Sequence, residues 1–292
     1  MLPSIEQRLA VELAAKPVQV AAAVALLDEG ATVPFIARYR KEVTGGLDDI
    51  QLRLLEERLR YLRELEDRRT AIIASIEEQG KMTPVLLDAI THAEDKTRLE
   101  DLYLPYKPKR RTKAQIAVEA GLLPLADALL VDPMLNPDTE AANYLKPAFT
   151  TDNGDNPGVA DVKAALDGAR QILMERFAED ATLLQALREY LNDHGIVESK
   201  VVAGKEEAGE KFADYFDYSE TLGTIPSHRA LALFRGRREE MLTVTLRLDS
   251  EEEKPKWDAP LNPCESRIAA RFGVSQKDRP ADKWLVDTVR WA

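Results

Sequence analysis

Cysteine is almost absent from this chain. Cys264 is the only one in 292 residues, which excludes an intramolecular disulfide and any multi-cysteine zinc or iron–sulfur site and fits a reducing cytoplasm. Histidine is nearly as scarce. His92, His194 and His228 lie far apart without metal-ligand spacing, so neither a metal nor a cofactor is expected. There is no run of about 18 apolar residues, and the opening MLPSIEQRLAVELAAK lacks a basic segment followed by an apolar block. No membrane span and no export signal are therefore expected, and the chain is placed in the cytoplasm. The GxSxG, HExxH and GxGxxG patterns are missing as well, so no catalytic residue is expected and the chain reads as a non-enzyme. Gly204 and Gly209 have the spacing of a phosphate-binding loop, but Glu210 stands where its lysine must reach the phosphates.

What is present is a globular composition, with 45% hydrophobic and 31% charged residues, and a length that suits two or three compact units. The formal net charge is -11, unevenly spread. Residues 1–120 hold 19 basic and 20 acidic side chains; residues 121–292 hold 21 and 31. An acidic chain binds phosphate only where positive charge is locally concentrated, so the first part is the better place for a basic face.

Most of the chain has helical periodicity. Ser4 is placed to cap a helix through about Ala15, Pro17 opens a second that Gly30 stops, and Pro34 suits the first turn of a third. From residue 48 to residue 79 there is neither Gly nor Pro. Leu52, Leu55, Leu59, Leu62, Leu65, Ile72 and Ile76 recur there at three- and four-residue steps, broken near Arg69. The pattern predicts one long helix. Its stripe suits either a coiled-coil seam or burial under the short helices, and burial is favoured. Further helices are expected from Thr83-Pro84 to about His92, from Thr112 to Ala120, and from Pro124.

Residues 132–158 contain Pro133, Pro137, Pro147 and Pro157 and read as a Pro/Asn/Asp-rich loop or linker between a helical domain, 1–131, and a second helical region, 159–292. Two helices come after the linker, the second closed by Gly195. EKFADYFDY, residues 210–218, has aromatics at helical spacing and is assigned to an amphipathic helix, and Pro226 opens SHRALALFRGR. Only MLTVTLRLD, residues 241–249, alternates as a strand should, with Gly195–Val202 as a weak candidate partner. DSEEEK, residues 249–254, suggests a solvated turn. The final helix places Trp284 and Trp291 on one face and ends apolar and uncapped, which points to a longer polypeptide and to partial exposure of both tryptophans here. The expected fold class is mainly α, a multi-helix scaffold with one long helix and at most a small β element near 241–248.

Two basic clusters interleaved with aromatics carry the only candidate chemistry. Arg38, Arg40 and Lys41 surround Tyr39; Lys107, Lys109, Arg110, Arg111 and Lys113 lie beside Tyr103 and Tyr106. Such groups neutralise phosphates while a ring stacks on a base. The competing reading is that Glu42, Asp48, Glu100 and Asp101 pair with them and lock the fold. Prolines 105 and 108 hold the second cluster, which ranks first, on an extended segment. Arg235, Arg237 and Arg238 form a smaller cluster offset by Glu239 and Glu240. Glu175 and Glu179, one helical turn apart, read as a solvated face rather than a cation site, and His228 as structural.

Several strings carry a resemblance: EGATVPFIARYRKEVTGGLDDIQLRLLEERLRYLRELEDRR at 29–69, LEDLYLPYKPKRRTKAQIAVEAGLLPLA, GARQILMERFAED, EKFADYFDYSE and IPSHRALALFRGR. From about residue 3 onwards the chain resembles the amino-terminal region of the Tex family, bacterial RNA-binding transcription accessory proteins. The resemblance implies a mostly helical region with helix-turn-helix-like elements. It also implies that a resolvase-like domain, helix-hairpin-helix elements and a carboxy-terminal OB-fold RNA-binding domain lie outside these residues. The expected function is that of a helical scaffold associated with RNA or DNA, with the principal RNA-binding domain elsewhere. The alternative is a protein-interaction module that docks RNA polymerase or another transcription factor.

Overall fold

The computed structural model describes residues 3–248 and 260–292, so Asp249 and the DSEEEK stretch lie outside the described residues. The chain divides into two compact units, Met1–Lys107 and Pro108–Ala292. More than half of the described residues are helical, with two small antiparallel sheets, both in the second unit.

The first unit is built from α1 (Ile5–Glu12), α2 (Pro17–Asp28), α3 (Val33–Tyr39), α4 (Asp49–Glu78), α5 (Pro84–Thr91) and α6 (Lys96–Tyr103), and ends in a 3-10 turn at Leu104–Tyr106. Ser4 caps α1 reciprocally with Gln7, as Asp48 caps α4 with Gln51. α1 stops at Glu12, short of Ala15. The bond to Pro17 disfavours helix at Lys16, and Ala14 takes a φ of 50°, so the chain breaks before the second helix.

α4 is one unbroken helix of 30 residues, about 45 Å long. Its stripe of Leu52, Leu55, Leu59, Leu62, Leu65, Ile72 and Ile76 is buried, and α1, α2, α3, α5 and α6 pack along it. The stripe is therefore a domain core and not a coiled-coil seam. Around it, Arg58 meets Glu12 of α1 at 2.6 Å and Arg63 meets Asp28 of α2 at 2.7 Å. The Arg58 guanidinium holds the Glu12 carboxyl below its ordinary range. Exposed pairs of this kind add at most about 1 kcal/mol each, so they orient the short helices while the leucines hold them.

The second unit contains α7 (Lys113–Glu119), α8 (Leu123–Val131), α9 (Pro137–Ala141), β1 (Phe149–Thr151), β2 (Gly154–Asn156), α10 (Val162–Ala178), α11 (Ala181–His194), β3 (Gly195–Val201), β4 (Asp217–Thr221), α12 (Ser227–Arg238), β5 (Leu242–Leu248), α13 (Pro263–Phe272) and α14 (Asp282–Trp291). α10 lies at its centre, packing against α7, α8, α9 and α14. Ala114, Ala117, Leu125 and Leu129 share one core with Ala169, Leu173, Phe177 and Leu285, so residues 108–131 fold with α10 and α14. Residues 132–158 differ from the expected linker. They form α9, a 3-10 turn and the β1–β2 hairpin, and Ala141, Tyr144 and Phe149 reach the same core. Pro137 is the first residue of α9, where its missing N–H costs nothing.

The three-stranded sheet has the order β4-β3-β5, all antiparallel, and the weak candidate Gly195–Val202 is indeed the partner of 242–248. Register sets Val197 opposite Leu246, Ser199 opposite Val244 and Val201 opposite Leu242. Val197, Val244 and Leu242 gather on one face with Phe212 and Leu233, while Thr243, Thr245 and Arg247 fall on the other beside Lys200 and Glu198. Residues 210–218 are not an amphipathic helix. Glu210–Tyr215 is 3-10 with a kink at Phe212 (φ -111°, ψ 16°), and Asp217 and Tyr218 begin β4. Pairing of Tyr218 with Ser199 of β3 overrides the local spacing of the aromatics.

In α14, Leu285 and Val289 are buried as their spacing predicts. Trp284, expected to be partly exposed, is only 7% accessible, and Trp291 is 59% accessible. Trp284 packs into the core that α10 organises, whereas Trp291 occupies the last turn of its helix.

Candidate nucleic-acid interface

The two basic clusters differ in what their cations touch. Each is taken within its own unit.

In the second unit, Lys109 places its ammonium against Glu179, with Glu175 at 3.7 Å. Glu175 of α10 and Glu179, which follows its last residue, thus share a lysine. Arg111 donates from Nε (3.1 Å) and Nη2 (2.5 Å) to Glu119 Oε2 and from Nη1 to the Asp155 carbonyl at 2.8 Å. Glu119 also accepts from Asn153 Nδ2 at 2.9 Å, and the Arg111 hydrogen bond, followed by that of Asn153, holds its carboxyl below the ordinary range. Arg111 therefore ties α7 to the β1–β2 hairpin. Arg110 and Lys113 are exposed and form no ion pair among the described residues. The carboxylates that capture Lys109 and Arg111 are Glu119, Glu175 and Glu179. Glu100 is held by Arg68 at 2.5 Å in the first unit. The Arg68 hydrogen bond keeps its carboxyl below the ordinary range, and the exposed Lys107 adds a smaller electrostatic pull in the same direction.

The first cluster is arranged differently. Pro34 lies in the first turn of α3 and Thr44, buried in the loop beyond it, folds its hydroxyl back on the Lys41 carbonyl at 3.2 Å. Val33 and Ile36 are buried, which turns Phe35 (41% accessible) and Tyr39 (56%) outward one turn apart. Their ring centroids are 5.4 Å apart. Arg40 lies 5.3 Å from the Phe35 ring centroid and Arg38 6.0 Å from that of Tyr39. Arg38, Arg40 and Lys41 are exposed and form no ion pair among the described residues; Asp48 is engaged as the cap of α4. Two outward rings flanked by three unpaired cations make a surface on which bases can stack while phosphates are neutralised.

No group of three or more His, Cys, Asp or Glu that could hold a metal ion occurs among the described residues. No single helix among them is long and apolar enough to cross a membrane. Residues 3–77 match the model of the Tex-like protein N-terminal domain, and residues 132–292 match that of the Tex central region. The chain belongs to the Tex family. It is 53% identical over 290 residues to the transcriptional accessory protein Tex of Neisseria gonorrhoeae, covering 98% of this chain and 36% of that protein. It is 55% identical over 291 residues to protein tex of Bordetella pertussis, covering 97% of this chain and 35% of the relative. A human S1 RNA-binding domain-containing protein 1 is 31% identical over 241 residues, covering 80% and 23%. The chain thus spans about a third of the length of the bacterial Tex proteins it matches.

Proposed function

We propose that this Tex-family chain is a non-enzymatic helical scaffold of a cytoplasmic transcription accessory protein. In this reading it makes weak, sequence-independent contacts with single-stranded nucleic acid, and the principal RNA-binding domain lies in the remaining length seen in its relatives. The observation that carries the proposal is the α3 surface: Phe35 and Tyr39 outward and one turn apart, with Arg38, Arg40 and Lys41 free of carboxylate partners among the described residues. Relatives bearing the names transcriptional accessory protein and S1 RNA-binding domain-containing protein are consistent with a partner of this class. The bends of two helix pairs support the helix-turn-helix-like part of this reading. The chain bends by 113° between α1 and α2 and by 100° between α7 and α8, across connections of four and three residues.

The test is titration of the chain with a labelled oligouridylate at several salt concentrations. Each single-strand phosphate neutralised contributes about 0.7 to the negative slope of log affinity against log salt, so three engaged cations give a slope near -2. Changing Arg38, Arg40 and Lys41 to Gln should flatten that slope, and Phe35→Ala with Tyr39→Ala should weaken binding at unchanged slope. If only Arg110→Gln with Lys113→Gln has these effects, the contact lies on the second cluster. If no variant changes binding, the contact lies on neither cluster; if the parent chain does not bind, the scaffold does not itself touch nucleic acid.

A further inference from the structure

A surface helix ordinarily turns its apolar stripe inward and its polar face to solvent. α12 is apolar on both sides. Its inner face presents Leu233 and Gly236, both buried, against Phe212 and Leu242. A Cβ on Gly236 would stand 2.5 Å from Leu242 Cδ1, so the helix lies as close to β5 as a backbone can. At 100° per residue the opposite face carries Ser227, His228, Leu231, Phe234, Arg235 and Arg238. Leu231 is 68% accessible and Phe234 60%. Scattered apolar side chains on a surface need no explanation, but here two large ones adjoin on a single stripe.

The charge around this pair selects its occupant. Arg229 is drawn to Glu220 at 3.2 Å, and Arg235 shares Glu239, at 2.9 Å, with Lys211. Arg237 and Arg238 are exposed with no ion pair among the described residues. Cations in a last turn complement the helix dipole, which accounts for the arginines but not for Leu231 and Phe234 beside them. The α3 surface offers two aromatic faces, whereas Leu231 has no π-face to offer a base. An apolar ridge bordered by the unpaired guanidinium of Arg238 and by Arg235, whose Glu239 is shared with Lys211, is complementary to a helix with apolar anchors at three- and four-residue steps and carboxylates around them. We propose that the outer face of α12 docks an acidic amphipathic helix of a partner protein, with Leu231 and Phe234 as the anchors and Arg235 and Arg238 as the charged rim. The proposal does not depend on nucleic-acid binding at α3.

The experiment uses fluorescence anisotropy on the 292-residue chain. The probe is a labelled peptide of about four helical turns with Leu and Phe at three- and four-residue steps and Glu elsewhere. The controls are the same peptide with Lys in place of Glu, and an oligouridylate. The acidic peptide should bind saturably and the lysine peptide should not. Leu231→Ala with Phe234→Ala should weaken it by roughly tenfold or more, as expected for two anchors at the centre of a contact. Arg235→Gln with Arg238→Gln should weaken it less and reduce its salt dependence. All four side chains are outward, so unchanged melting curves will show that the variants fold. Phe35→Ala with Tyr39→Ala should leave peptide binding intact. Equal binding of both peptides, or no saturable binding of the acidic one, overturns the proposal. So does loss of oligouridylate binding, rather than peptide binding, in the α12 variants, because the face would then belong to nucleic acid.

Discussion

Arg111 grips Glu119 through two nitrogens and at the same time reaches the Asp155 carbonyl, so a residue from the most basic stretch of the chain is committed to joining α7 to the β1–β2 hairpin. Its neighbour Arg110 points outward with no ion pair among the described residues. Arg111→Ala should therefore lower the melting temperature, because Glu119 loses both hydrogen bonds from the guanidinium and keeps only asparagine donors, and the Asp155 carbonyl loses its side-chain donor, while Arg110→Ala should leave it unchanged. Equal melting temperatures would show that the guanidinium of Arg111 is dispensable to the fold. Lys113→Ala, at the first position of α7, is the matching surface control.

The same pair has a pH signature. The Glu119 carboxyl titrates below its ordinary value of 4.5 in the folded chain because Arg111 and Asn153 donate to its charged form. A carboxylate with a depressed folded value adds stability that is complete above the unfolded value and is lost as pH falls through the folded one. The hairpin should loosen on acidification below about pH 4.5. In Glu119→Gln that part of the acid dependence should disappear. Amide exchange across Phe149–Asn156 in the two proteins measures it, and identical acid profiles would remove Glu119 as the cause.

Gly158 lies just beyond the hairpin with a φ of +70°, and a Cβ there would stand 2.4 Å from the carbonyl oxygens of Lys146 and Pro147. Both obstacles are backbone, and the Lys146–Val159 bridge fixes them in place with hydrogen bonds of 3.0 and 2.7 Å. Gly158→Ala should destabilise the second unit by more than about 1 kcal/mol, since steric overlap adds to the left-handed strain. Chemical denaturation followed by circular dichroism gives the number, and a neutral result would mean that residues 146–158 rearrange at little cost.

Legibility from sequence tracked the range of the interactions. α4 could be read directly because thirty residues without Gly or Pro carry a regular leucine stripe, and both are local properties. β5 could be read from its alternation, and its partner only weakly, because Gly195–Val201 gains its identity as a strand from lying between β4 and β5. Residues 210–218 were misleading for the same reason: Phe212, Tyr215 and Phe216 have helical spacing, yet Tyr218 pairs with Ser199. The basic clusters could be located, and the second ranked first, but which of their cations are captured by carboxylates was not legible. Lys109 is captured by Glu175 and Glu179, at the end of α10 and distant in sequence, whereas the acids adjacent to Arg38, Arg40 and Lys41 leave those cations without an ion pair among the described residues. The exposed Leu231–Phe234 pair is invisible until the inner face of α12 is known, since RALALFRGR does not say which of Leu231, Leu233 and Phe234 faces the core.

Arg69 is where the stripe of α4 is interrupted, and the structure shows why the interruption is tolerated. The side chain is buried; Nη2 donates to the Ala93 carbonyl at 2.5 Å and Nη1 to Glu66 at 2.7 Å, while Nε has no partner among the described residues. Arg8 of α1 also approaches Glu66, at 3.5 Å. The guanidinium thus joins α4 to the turn that leads from α5 to α6, and its aliphatic stem continues the apolar surface between Leu65 and Ile72. Arg69→Ala removes that stem and leaves the Ala93 carbonyl without a donor, which together should cost about 2–4 kcal/mol. Arg69→Met restores most of the volume and leaves only the carbonyl unsatisfied, so it should cost roughly half as much, because a buried charge is itself expensive to hold. Urea denaturation of the two variants separates the contributions. Equal losses would place the whole effect in the hydrogen bond to Ala93, and a Met variant as stable as the parent would place it in packing alone.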